Sequence, residues 1–252
     1  MDQNRNWSGT SGAPAANNSD KGLRTDFMTA GVEYMFNHDW GVMAEIPFDD
    51  RKFATDDGNG VQSFQHAALG DVRLRGVYTG FSDDMSTGVE FGVKLPTGDY
   101  KYANFDRDTE IGSGSTDLLL GAYHFGGLGE NNSWVWFAQI SWDQPLSSQG
   151  GYRPGAEIDS AAGIYYNGLT IGNDIKIAPV LQIIGSHRAS DSGPQANPGD
   201  SGYNRLLLSP GVELDLQDWK LYADVEFPIY QEMTGNQLVA PALFKMILSY
   251  AF

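Results

Sequence analysis

Four histidines and no cysteine limit the chemistry this 252-residue chain can carry. His38, His66, His124 and His187 lie far apart, and none has a second His or a Cys at metal-site spacing. A disulfide framework and thiolate chemistry are excluded. His124 and Ser141 fall on neighbouring predicted strands, the pairing a hydrolase would use, but no activating motif surrounds either. Asp56-Asp57-Gly58-Asn59-Gly60 faintly echoes a calcium loop and lacks its alternating ligands and terminal Glu. Gly112-Ser113-Gly114-Ser115 is no phosphate loop, because no Lys-Ser/Thr and helix follow; its glycines permit a sharp bend. The expectation is a protein with no catalytic residue, no metal and no cofactor.

The charged residues say more. Glu33, Glu45, Arg73, Arg75, Glu90, Lys94, Asp174, Lys176, Glu213, Lys220, Asp224, Glu226 and Lys245 alternate with apolar neighbours. In an extended chain each would face away from those neighbours. Opposed charges on adjacent strands pair and brace a wall. The same residues would equally make a selective lining. Sequence leaves both open.

The elements that must hold these residues are strands. Alternation predicts eleven of them, near 27–36, 40–48, 70–80, 86–95, 116–125, 133–143, 158–166, 170–184, 204–216, 219–229 and 239–252. In one, Trp219, Leu221, Ala223, Val225 and Phe227 oppose Lys220, Tyr222, Asp224 and Glu226. Short turns, as at Asn37-His38-Asp39 and Gln217-Asp218, alternate with long polar stretches near 49–69, 97–115, 144–157, 185–203 and 229–238. A β-sandwich has no reason for that asymmetry, whereas a membrane barrel has tight turns on one side and long loops on the other. Aromatic residues cluster where strands begin and end, as interfacial girdles would. No stretch has the roughly 18 to 20 apolar residues of a membrane helix. The fold class expected is an all-β antiparallel transmembrane β-barrel of about 12 strands.

The last segment, Ala242 to Phe252, puts Phe244, Met246, Leu248, Tyr250 and Phe252 on one face. This resembles the C-terminal signature read by the barrel-insertion machinery. With Phe252 on the inner side, stepping back strand by strand makes residues 1–25 an outer polar loop and 26–252 the barrel. Bacterial single-chain barrels have even strand numbers. The expectation is therefore a first strand and a leader upstream of Met1, or else an irregular strand hidden in residues 1–20.

Charge narrows the partners. Thirty-two acids against 16 bases give a net charge of −16, which argues against nucleic acid. Outer-membrane lipid and lipopolysaccharide, the insertion machinery and a small solute are the partners expected, in the outer membrane of a Gram-negative cell.

Three motifs go beyond general patterning. Gly70-Asp71 opens one strand, Lys94-Leu95-Pro96-Thr97-Gly98-Asp99 follows another, and Gly112-Ser113-Gly114-Ser115-Thr116-Asp117 begins the next. Their order resembles the outer-membrane family described as part of the meta-pathway of phenol degradation, from about residue 27 to the end. The resemblance implies a transport barrel for aromatic or other small organic compounds and supplies no catalytic residues. The alternative is a structural or ligand-binding barrel with an occluded lumen.

Overall fold

Period-two alternation leaves the membrane-height part of the strands with one apolar and one polar face, and a sheet closed on itself sends the two faces to opposite sides of a wall. The computed structural model describes residues 1–12, 19–129, 133–172 and 175–252. Its β segments are β1 (Asp2–Gln3), β2 (Arg5–Gly9), β3 (Ser11–Gly12), β4 (Asp20–Met35), β5 (Trp40–Asp56), β6 (Val61–Leu69), β7 (Arg73–Tyr78), β8 (Thr87–Lys94), β9 (Ser115–Leu128), β10 (Trp134–Ser148), β11 (Glu157–Tyr166), β12 (Leu169–Ile171), β13 (Ile175–Arg188), β14 (Tyr203–Leu216), β15 (Trp219–Val239) and β16 (Leu243–Tyr250). One 3₁₀ turn, Pro198–Asp200, is the helical element among the described residues.

These segments build one antiparallel barrel. β6 and β7 flank the same edge of β5 and form a single interrupted strand. β11 and β12 do the same along β13. β15 turns back on itself: Trp219 faces Tyr250 and Glu226 faces Leu243. At constant register the mirror point falls between Thr234 and Gly235, where Gly235 takes φ 68°, a conformation glycine adopts without strain. Residues 236–239 therefore descend in line with β16, and they pair with β2 on their other edge. β1 pairs with β4. Met1 to Gly9 is thus one strand bridging the last strand to β4, and the ring has about twelve strand positions.

Three polar stretches differ from expectation. Residues 1–9 are a strand rather than a loop, and β4 already begins at Asp20. Residues 49–69 are largely a hairpin, with Asp56 opposite Val61. Residues 229–238 contain the Thr234-Gly235 tip. Both faces of these stretches carry polar residues, so no period-two signal marks them. Their backbone pairing holds them as strands beyond the apolar band.

Burial is inverted relative to a water-soluble protein. On the outer face Ile140 and Ile183 are 52% and 50% exposed, while inside Asp117 and Ser209 are fully buried. At the short-turn end three Trp–Tyr pairs bridge adjacent strands: Trp40–Tyr78, Trp134–Tyr166 and Trp219–Tyr250, with ring centroids 4.7, 4.9 and 4.8 Å apart. Along the ring each pair lies four strands from the next.

Candidate functional site in the barrel lumen

Inward-facing charges pair along the wall. Arg75 reaches Glu45 at 2.5 Å and Glu90 at 3.6 Å. Lys94 is held between Asp117 and Asp143, the latter at 3.0 Å. On the opposite wall Asp224 accepts hydrogen bonds from Tyr222 at 2.6 Å, Ser209 at 3.1 Å and Gln182 at 3.3 Å. Lys245 lies opposite Asp224 in the β15–β16 register, and Glu226 is buried nearby on the same face. Lys220 meets Glu213 at 3.5 Å near the short-turn end, and Lys176 lies opposite Asp215. Glu33 occupies the inward parity of β4, and Arg73 lies one cross-strand step from Lys94 and from Glu45. Asp174 lies outside the described residues.

The lumen's narrowing comes from a segment that alternation does not mark. Residues 95–114 leave β8 and fold inward before β9 begins. Arg51 donates from Nη1 to the carbonyls of Thr109 and Glu110, both at 2.8 Å. Arg107 pairs with Glu110 at 3.0 Å and stacks over Tyr100 and Tyr152. His66 stacks on Tyr102 with centroids 3.8 Å apart and bonds Asp99 at 2.9 Å.

The three sequence motifs meet at the root of this segment. The buried Asp71 carboxylate accepts from Gly98 N at 2.9 Å and from Ser113 N at 2.8 Å. Gly112 N donates to Asp99 O at 2.7 Å. Thr97 Oγ1 accepts from Val72 N at 2.9 Å. A Cβ on Gly98 would sit 2.8 Å from Gly112 Cα and 2.8 Å from Gly70 C. The glycines are there because three backbones pass through one point.

Together wall and segment enclose a cavity of about 310 Å³, bordered by Asp49, Arg51, Arg73, Lys94, Arg107 and Asp143 among others. Asp49 Oδ1, Arg51 Nε and Asp143 Oδ1 have no hydrogen-bond partner among the described residues. Buried polar atoms of this kind require water or a polar guest. At the outer rim burial holds the Asp108 and Glu110 carboxyls above the ordinary carboxylate range. Burial, with Asp106 and Asp108 alongside, pushes Asp20 up to about 7.

Other sequence candidates are dispersed. His124 bonds Thr87 at 2.7 Å, while the register sets Ser141 opposite Gly121, three positions from His124 and of opposite parity. The two face different sides of the wall. Asp56 Oδ1 accepts from Gly58 N and Gly60 N at the β5–β6 tip, as a turn does. The rim residues Arg51, Arg107, Tyr152 and Arg188 escaped the sequence reading. The motif spacing around Asp71 was the one signal that marked their neighbourhood.

No protein-family model and no curated relative matches the sequence. Among solved structures the chain is similar to an outer membrane channel from Pseudomonas putida F1, with a TM-score of 0.66 at 12% identity over 99% of this chain and 90% of that one. At that identity the likeness is one of fold.

Proposed function

We propose that this chain is an outer-membrane channel of a Gram-negative cell that admits small polar or aromatic organic solutes. The observation that carries the reading is the inverted wall: apolar side chains exposed outside, carboxyl and hydroxyl groups buried inside. In hydrocarbon every backbone donor and acceptor must be satisfied within the protein, and a closed antiparallel sheet achieves this. The similarity to a channel fold supports the reading. The lumen carries both signs of charge, and the unpartnered polar atoms around the cavity suit a hydrated or polar organic guest. The aromatic solute class rests on the motif resemblance alone. In this reading lipid and lipopolysaccharide cover the outer face, and the strand ending at Phe252 is the insertion signal.

Planar-bilayer recording on detergent-refolded protein tests it. Discrete conductance steps are expected, with a cation preference weakened by neutralising Glu45, Glu90 and Glu226. A second reading, a ligand-binding barrel with an occluded lumen, is favoured by the way Asp71 pins both ends of the inward segment. Folded, heat-modifiable protein that never conducts would replace the first reading with the second.

A further inference from the structure

Arg73 is a cation that its neighbours leave unanswered. It lies on the inward parity of β7, directly opposite Glu45 on β5 and Lys94 on β8. Both turn elsewhere. Glu45 reaches Arg75 at 2.5 Å, and Lys94 reaches Asp117 and, at 3.0 Å, Asp143. Among the described residues no hydrogen bond or ion pair engages the Arg73 guanidinium; Asp49 and Asp159 feel its charge only at longer range. Like charges directly opposite, as Arg73 and Lys94 are, destabilise a wall.

The cavity beside Arg73 is dipolar. On its β5–β7 side stand Arg51, Asp49 and Arg73, two cations against one carboxylate. On its β8–β10 side stand Lys94, Asp117 and Asp143, one cation against two carboxylates. The other charged groups of the lining are matched within the protein: Arg107 by Glu110, Arg188 by Asp191, Glu157 by the Tyr203 hydroxyl and Asp71 by two amides. Burial holds Asp108 toward its neutral form. Orphan atoms mark both poles among the described residues. Arg51 Nε lacks an acceptor and Asp49 Oδ1 a donor at the positive pole; Asp117 Oδ1 and Asp143 Oδ1 lack donors at the negative one.

We propose that this cavity binds a small zwitterion, a solute carrying one carboxylate and one ammonium group, as an α-amino acid does. The inference deepens the channel reading by naming a solute class, and rests on that reading for how the solute arrives. The carboxylate meets Arg73, whose planar fork donates two parallel bonds. The ammonium brings three donors and no acceptor, which suits Asp117 Oδ1 and Asp143 Oδ1. A simple anion would leave those two oxygens unanswered, and a simple cation would leave Arg73 bare; either omission weakens binding in a buried site. A neutral sugar answers orphan atoms through its hydroxyls but leaves the opposite charge excess of the two poles uncompensated. The volume of about 310 Å³ holds such a zwitterion with water around it.

Glycine is the probe, as the smallest solute with both charges; acetate and methylammonium are its two halves. Equilibrium dialysis of each radiolabelled probe against detergent-refolded protein is the test. Glycine is expected to bind saturably and about tenfold or more tightly than either half. Arg73→Gln, which breaks no ion pair among the described residues, is expected to weaken glycine about tenfold while the heat-modifiable band is kept. Asp143→Asn is expected to weaken glycine and to leave acetate unchanged or tighter. Acetate bound as tightly as glycine, glucose displacing glycine, glycine affinity unmoved by Arg73→Gln, or folded wild type with no saturable glycine binding each overturns the inference. Dialysis does not read conductance. A barrel that never conducts can still bind glycine, and one that conducts can fail to, so the two readings fail separately.

Discussion

Asp71 and Ser113, forty-two positions apart, are joined by a backbone hydrogen bond of 2.8 Å from Ser113 N to Asp71 Oδ2. The other carboxylate oxygen takes Gly98 N, so one side chain closes the whole 95–114 segment into a loop inside the barrel. Asp71→Ala strands two buried amides. A loss of about 2–4 kcal/mol in the anchoring of that segment is expected. Single-channel conductance should rise as the segment leaves the lumen. Equal conductance in wild type and variant would show that the segment does not limit the passage.

Lys94 stands between two carboxylates, one fully buried. Lys94→Met removes the only cation bonded to either among the described residues, and breaking such a cluster costs about 3–5 kcal/mol. The double variant with Asp117→Asn should recover part of that loss. Urea unfolding from detergent measures both, and a Lys94→Met protein as stable as wild type would mean the cluster is solvated.

The outer face predicts a cost that depends on the surroundings. Ile183 sits half exposed on the outer face of β13. Ile183→Arg is expected to cost about 2–4 kcal/mol when folding is measured into lipid vesicles. A soluble protein would tolerate an arginine at so exposed a site. Folding into vesicles unaffected by the change would argue against this face meeting lipid.

Acid should tighten the outer rim. Asp20 titrates near 7 in the folded protein, raised by burial and by Asp106 and Asp108, with Lys21 opposing. Folding raises this pKa above the ordinary Asp value of 3.8, so the folded rim binds the proton more tightly. Its contribution is fully present below about pH 4, declines as pH rises, and is gone above about pH 7. Amide exchange across residues 102–110, corrected for intrinsic rate, should show more protection at pH 5 than at pH 8. Asp20→Asn should abolish the difference; a rim equally protected at both pH values would count against the linkage.

What could be read in advance follows from solvent. Where one face meets an apolar phase and the other a polar lumen, alternation survives in the sequence, and strands such as Trp219 to Phe227 were visible. Along Asp49 to Leu69 polar residues stand on both faces of the hairpin, so no alternation separates it from a loop. The inward charges of Arg75, Lys94 and Asp224 were legible by parity, but their partners Asp117 and Gln182 depend on which strands become neighbours. The inward segment was invisible for a different reason. Its fold is set by a few backbone bonds to Asp71 and Arg51, and those leave only scattered Gly, Ser and Asp in the sequence.

The three Trp–Tyr bridges, spaced four strands apart around the short-turn end, act as the legs of a tripod. Indole and phenol rings favour the headgroup layer, and three evenly spaced points define a plane. Tilting the cylinder in either direction lifts at least one ring pair towards water or sinks it towards hydrocarbon. The bridges therefore set how deep the barrel sits and keep its axis upright, a task that two anchors, or three on one side, could not perform.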